Sequence, residues 1–177
     1  MNKSLAELGL TEADLAPKPE ALQLPPEIIA RLDQETKEHG GDECCGFVIE
    51  INGKMEVVPI ENTLEAKEHV YHMDQDGIIK LYRRLEKERG TIVALYHSHT
   101  SHQTAHFSQS DASKAFAPDH PSQPIFGVDT PYIVIAAQDG KVRDRKAFTY
   151  NPASKAFRES AVIAASGQSR SRLALAA

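Results

Sequence analysis

Cysteine is scarce in this chain. Its 2 cysteines, Cys44 and Cys45, are adjacent and cannot close a loop between distant segments, which excludes a disulfide-stapled scaffold. A surplus of positive charge is also missing. Lys and Arg number 20 against 25 Asp and Glu, and the basic residues are scattered apart from Arg170 and Arg172, so the chain has no footprint for nucleic acid. No apolar run is long enough to span a bilayer. The opening "MNKSLAELGLTEADLAPKPE" carries acids and lacks the apolar stretch of a signal peptide. No internal repeat is visible. These absences predict a cytoplasmic protein with neither a membrane nor a nucleic-acid partner. What remains is ordinary: 177 residues, 41% hydrophobic and 25% charged, enough for one domain with a real core.

Along the chain, helical and strand patterns alternate. Residues 1–24 read as a loosely structured arm ending in "PKPE". In "PPEIIARLDQETKEHGG", a leading proline, apolar Ile28, Ile29 and Leu32, and a Gly40-Gly41 stop predict a helix. "ECCGFVIE" and "KMEVVPIEN", joined through Asn52-Gly53, predict a β-hairpin. "DQDGIIKLYRRLEKERG" places Ile78, Ile79, Leu81, Tyr82 and Leu85 on one helical face. "TIVALYHSH" reads as a buried strand, "SQSDASKAFA" as a helix start, and "PYIVIAAQDGKVRDRKAFTY" as a hairpin turning at Asp139-Gly140. Residues 152–177 begin with helix-compatible "PASKAFRESAVIAA" and end in a tail of small and polar residues. The order predicts an α/β fold over residues 25–151, a single mixed, largely antiparallel sheet flanked by helices, then a C-terminal helix and flexible tail.

Chemistry concentrates in "ALYHSHTSHQTAHFSQSD", where His97, His99, His102 and His106 fall within ten positions. On a strand, His97 and His99 share one face and Ser98 takes the other. Two imidazoles at a strand's end can give two nitrogens to one zinc at ~2.0–2.1 Å, and a catalytic zinc needs three protein ligands and a position for water. Asp111, in the first turn of the next helix, is the best third donor. A polar pair at a solvated strand end also fits His97 and His99. Ser108-x-x-Asp111 also has the form of a helix capping box, which alone would account for both residues. His102 and His106 lie in the loop and are assigned to substrate contact or solvation. Cys44 and Cys45 face opposite ways on a strand, and buried thiols suit them better than metal ligation.

The combination of a strand glutamate in "ECCGFV", His97-Ser98-His99 and Ser108-x-x-Asp111 resembles the JAMM (MPN-plus) metallopeptidase family. The likeness covers about residues 25 to 150. It implies an MPN/JAMM-like fold with cytidine-deaminase-like layering, and Zn²⁺ held by His97, His99 and Asp111. It implies too that Glu43, picked out by the neighbouring Cys-Gly-Phe, is general base and then general acid. Ser108 would donate a hydrogen bond to the oxyanion. The chain departs from the family pattern at one point: Thr100 to Phe107 make eight residues between His99 and Ser108, against seven. Sliding the frame would put Phe107 and Ser110 in the key positions, where neither can serve, so the loop is expected to bulge by one residue. Thr100 also replaces a proline often found there.

Family members cut the bond after the C-terminal tail of ubiquitin-fold proteins. The small bacterial ones resemble processors of sulfur-carrier proteins ending in Gly-Gly. "NTLEAKEHVYHMD" and "PDHPSQPIFGVDT" stand where the family's two substrate-contacting insertions lie. A metal-free MPN scaffold that binds partners and a phage-tail-type peptidase are the alternatives. Oligomeric state is left open.

Overall fold

The computed structural model describes residues 20–67 and 70–165. Nine strands and three helices lie within them: β1 (Leu22–Leu24), α1 (Pro26–His39), β2 (Cys45–Ile51), β3 (Lys54–Ile60), α2 (Gln75–Glu88), β4 (Thr91–His99), α3 (Gln109–Lys114), β5 (Phe116–Ala117), β6 (His120–Pro124), β7 (Tyr132–Gln138), β8 (Lys141–Asn151) and β9 (Ala156–Ala164). Seven strands form one sheet in the order β1-β9-β8-β7-β4-β2-β3, and β5 and β6 make a separate ribbon. Only the β4–β7 and β1–β9 pairs are parallel, so the sheet is mixed and largely antiparallel as expected.

Both tight hairpins turn where the residue pairs indicate. Asn52 and Gly53 have φ 52 and 76, and Asp139 and Gly140 have φ 53 and 68. Two successive left-handed residues make a turn whose twist matches the flanking strands, and Asn-Gly and Asp-Gly adopt it at least cost. The helices also follow their signals. α1 has proline at its start, Lys37 and His39 in its last turn, and Gly40 at φ 63 beyond it. α2 begins under Asp74, whose carboxylate accepts the Gly77 N–H at 2.7 Å.

The two helices cover opposite faces of the central strands. Ile28 and Leu32 of α1 pack with Cys44, Val48, Ala94, Tyr96, Ile133 and Ile135. Leu81 and Leu85 of α2 pack with Cys45, Phe47, Ile49, Leu95 and Tyr132. Neighbouring strand residues thus part to opposite cores, as period-two alternation requires. Cys44 and Cys45 do so as buried free thiols. Gly46 sits where β2 presses between β3 and β4. A Cβ there would lie 2.3 Å from the Val58 carbonyl and 2.8 Å from the Tyr96 ring, so no larger residue fits there. Glu43, expected on this strand, lies just before its first residue, Cys45. Arg145 of β8 pairs with Asp33 of α1 and ties helix to sheet.

Both ends of the expected organisation need correction. The segment expected to form a C-terminal helix is strand β9, paired antiparallel with β8 from Lys146↔Ala161 to Asn151↔Ala156. Its Ala, Glu and Arg favour helix, but a turn at 152–155 folds it back onto β8. Phe157 then meets Tyr132, Tyr150, Phe107 and Phe116 at centroid distances of 4.5–6.0 Å. Tertiary packing overrides propensity here. The end of the expected N-terminal arm is strand β1, which adds parallel to β9 with Leu22↔Val162 and Leu24↔Ala164 and buries Leu24 completely. Residues 1–19 of that arm and 166–177 of the tail lie outside the described residues. The second expected insertion, residues 118–130, contains most of the β5–β6 ribbon.

Candidate metal centre

The site grows from the end of β4. Strand alternation puts His97 and His99 on the α2 side of the sheet with Leu95, beyond the point where that core ends. Ser98 turns the other way, and its hydroxyl accepts the Cys44 N–H at 2.9 Å, fastening β4 to the residue next to Glu43. A sharp turn follows, with Ser101 at φ 60. The eight-residue loop is then pinned twice: His102 N–H donates to Ala137 O at 3.1 Å, and Ala105 N–H to the Asp144 carboxylate at 2.9 Å. Phe107 packs between Phe148 and Phe157, with centroids 5.4 and 4.5 Å away. The extra residue is therefore absorbed before the chain reaches Ser108.

Ser108 caps α3 in a full capping box. Its hydroxyl accepts the Asp111 N–H at 3.1 Å, and its own N–H donates to Asp111 Oδ2 at 2.8 Å. This fixes Asp111 facing both histidines. Asp111 Oδ1 lies 3.4 Å from His97 Nε2, Oδ2 lies 3.2 Å from His99 Nε2, and the two Nε2 atoms are 3.1 Å apart. Ligands placed tetrahedrally at ~2.0–2.1 Å from zinc stand about 3.3 Å from one another. The donor separations fit that figure, and the donor types are those zinc takes. His97, His99 and Asp111 are the single such group of three among the described residues. Capping and ligation are thus compatible duties of the same two residues.

All three donors are buried, with 5% exposure or less. Burial pushes the His97 imidazole below its ordinary pKa, against the pull of Asp111, so it is a neutral nitrogen donor. For Asp111, burial alone would raise the pKa. Hydrogen bonds with His97 and His99, and then the Ser108 cap, outweigh that and hold the carboxyl well below the usual range.

Glu43 lines the same cavity, of about 160 Å³, with His99, Ser108 and Asp111. Burial raises its pKa to about 7, opposed by His99, reinforced by the Asp111 charge and opposed again by Lys114. Its backbone is held on both sides, its N–H donating to Lys67 O at 2.7 Å and its carbonyl accepting Asn62 Nδ2 at 3.1 Å. His102 and His106 line the cavity too, but stand outside the three-donor group.

Several contributors escaped the sequence reading. Tyr71 stacks on His97 at 4.5 Å and 28°. Lys114 donates to Tyr71 O at 3.0 Å and lies over that ring at 4.9 Å. Its place one helical turn after Asp111 was the available signal. Asn62 ties Glu43 to the following loop through Val70 O, Leu64 N–H and His72 N–H. Nothing local in the sequence marks it.

Comparison with known proteins bears on the fold and the family. The chain resembles in fold a solution structure from Desulfitobacterium hafniense, with TM-score 0.59 and 19% identity over 82% of this chain and 92% of that one. A second, from Salinibacter ruber, has TM-score 0.55 and 17% identity over 84% and 94%. A crystal structure of a JAB1/MPN domain protein from Archaeoglobus fulgidus superimposes more loosely, with TM-score 0.46 and 14% identity over 81% and 98%. No curated protein matches the chain in sequence. The family model for prokaryotic homologs of the JAB domain matches residues 25–149, and the chain belongs to that family.

Proposed function

We propose that this protein is a zinc-dependent peptidase of the JAMM type. It would cut the peptide or isopeptide bond after the Gly-Gly tail of a ubiquitin-fold protein, in particular a bacterial sulfur-carrier protein. The observation that carries the reading is the buried His97, His99, Asp111 group with zinc-like donor spacing and Glu43 on the same cavity.

Zinc bound there would supply a Lewis acid for the scissile carbonyl and an acidified water. The remaining work falls to the chain's own groups. Glu43, held near neutrality by burial, takes the proton of the attacking water and returns it to the departing amine. The Ser108 oxygen is fixed by accepting the Asp111 N–H, which leaves its O–H to donate to the carbonyl oxygen as that atom gains charge. Asp111 and the capping box hold the two imidazoles in place, so little must reorganise during reaction.

Two features support a slim, extended tail as substrate. A cavity of about 160 Å³ leaves little room for side chains beside the cut, which suits glycine. A second, apolar groove of about 380 Å³, lined by Tyr71, Ile78, Tyr82, Ile125, Phe126 and Tyr132, shares Lys114 with the metal cavity. A strand lying in that groove would lead to the metal.

The test is zinc stoichiometry of wild type and Asp111→Ala, followed by cleavage of carrier fusions extended beyond Gly-Gly. About one tightly held zinc in wild type, its loss in the variant, and cleavage at the glycine support the reading. Wild type that stays empty when zinc is supplied overturns it and favours a partner-binding scaffold.

A further inference from the structure

The loop after β4 carries two more histidines than a three-ligand centre needs. His102 and His106 have ring centroids 4.9 Å apart with planes tilted by 66°. His97 and His99, whose Nε2 atoms converge to 3.1 Å, have centroids 4.9 Å apart and a 58° tilt. The outer pair therefore stands at the same centroid separation as the inner pair, with a similar tilt. His106 Nδ1 faces the Thr104 carbonyl at 3.4 Å. Donation of an Nδ1–H to that carbonyl leaves Nε2 as the unprotonated nitrogen, the form that binds metal.

The outer pair is joined to the centre. His106 and His99 rings are 4.7 Å apart, and both outer histidines line the cavity that Glu43 lines. Both are exposed, whereas the inner pair is buried. Imidazole is a ligand for zinc and its neighbours among divalent transition metals. Two protein donors with water completing the shell bind more weakly than three.

We infer that His102 and His106 form a second, weaker site for a transition-metal dication such as zinc, at the mouth of the metal cavity. A dication there stands over the approach to the centre and competes for the Glu43 carboxylate. Occupation of the outer pair thus restrains the activity of the inner centre, a consequence that rests on the peptidase reading. The outer site itself does not.

Equilibrium dialysis of the full chain against rising free zinc, with bound metal counted by mass spectrometry, tests the site. Wild type takes up two zinc ions in separate steps, the second at least about tenfold weaker because it has two donors rather than three. His102→Ala and His106→Ala each lose the second step and keep the first, and both residues are exposed, so folding is not at stake. Asp111→Ala loses the first step and keeps the second. Wild type that saturates at one ion overturns the inference, as does a second step that survives in the double His102→Ala, His106→Ala variant. With a cleavable fusion, excess zinc slows wild type and leaves the double variant's own rate unchanged. If no fusion is cut, the peptidase reading fails while the dialysis still decides the outer site.

Discussion

The two cavities beside Lys114 differ in what surrounds them. The metal cavity is small and polar, and its working groups are buried titratable side chains held by backbone bonds: His97 and His99 by β4, Asp111 by a capping box, Glu43 by Asn62 and Lys67. The groove is larger and apolar, with Tyr82 and Ile125 46% and 52% exposed. Rigid placement of charge is what bond cleavage requires, and exposed apolar surface is what a partner covers. Substitutions in the first cavity should therefore alter the rate of the chemical step, and substitutions in the second should alter substrate binding.

The largest effects belong to the ligands. Asp111→Ala removes a donor and the carboxylate half of the capping box, and His99→Ala removes another donor. Both variants lose tight zinc and all turnover, as metal counting and a cleavage assay would read. His102→Ala keeps the tight zinc and loses far less activity. Equal metal loss in His99→Ala and His102→Ala would mean that the ligand set is misassigned. Glu43→Gln comes next. It keeps one zinc and loses roughly 10²–10⁴ in turnover, the usual worth of a positioned base. Turnover close to wild type in zinc-loaded Glu43→Gln would refute the mechanism.

Glu43 also ties stability to pH, with a sign that can be checked. Its folded pKa of about 7 lies above the unfolded carboxyl value near 4.3. Between those values the metal-free folded state binds more protons than the unfolded one, so stability falls as pH rises through that window. Metal-free Glu43→Gln should lack this fall and be more stable than wild type at pH 8, by roughly 2–4 kcal/mol. Urea titrations at pH 5 and pH 8 would show it, and a pH-independent difference between the two proteins would rule it out. A bound dication would favour the carboxylate, so if the protein is the proposed zinc peptidase the acid limb of its activity should lie below pH 7.

How much of this was legible in the sequence depended on how local the signal was. Asn52-Gly53 and Asp139-Gly140 specify their turns through two residues each, and both turns are found. The run before His97 marks β4, and alternation alone puts His97 and His99 on one face. Strand β9 was not legible, because its reason is Phe157 meeting aromatics from three distant segments as well as Tyr150 of the neighbouring β8. Strand β1 in turn depends on β9. Glu43 could be singled out only through the family resemblance, since its distinction is the cavity it faces. Tyr71 and Asn62 act through contacts across the fold, with no spacing in the chain to betray them.

The groove should give the smallest changes and the sharpest contrast. Tyr82 projects from α2 and Ile125 follows the β5–β6 ribbon, so they reach the groove from separate elements. Neither lines the metal cavity. Tyr82→Ser and Ile125→Ser remove apolar surface that a carrier would cover, each side chain being worth about 1–2 kcal/mol when buried. KM for a folded carrier should rise roughly tenfold in each, with kcat and zinc content unchanged. A short Gly-Gly peptide that cannot reach the groove should be cut equally by both variants and wild type. If instead the variants lower kcat on the short peptide as well, the groove is part of the support for the centre, and the division between the two cavities fails.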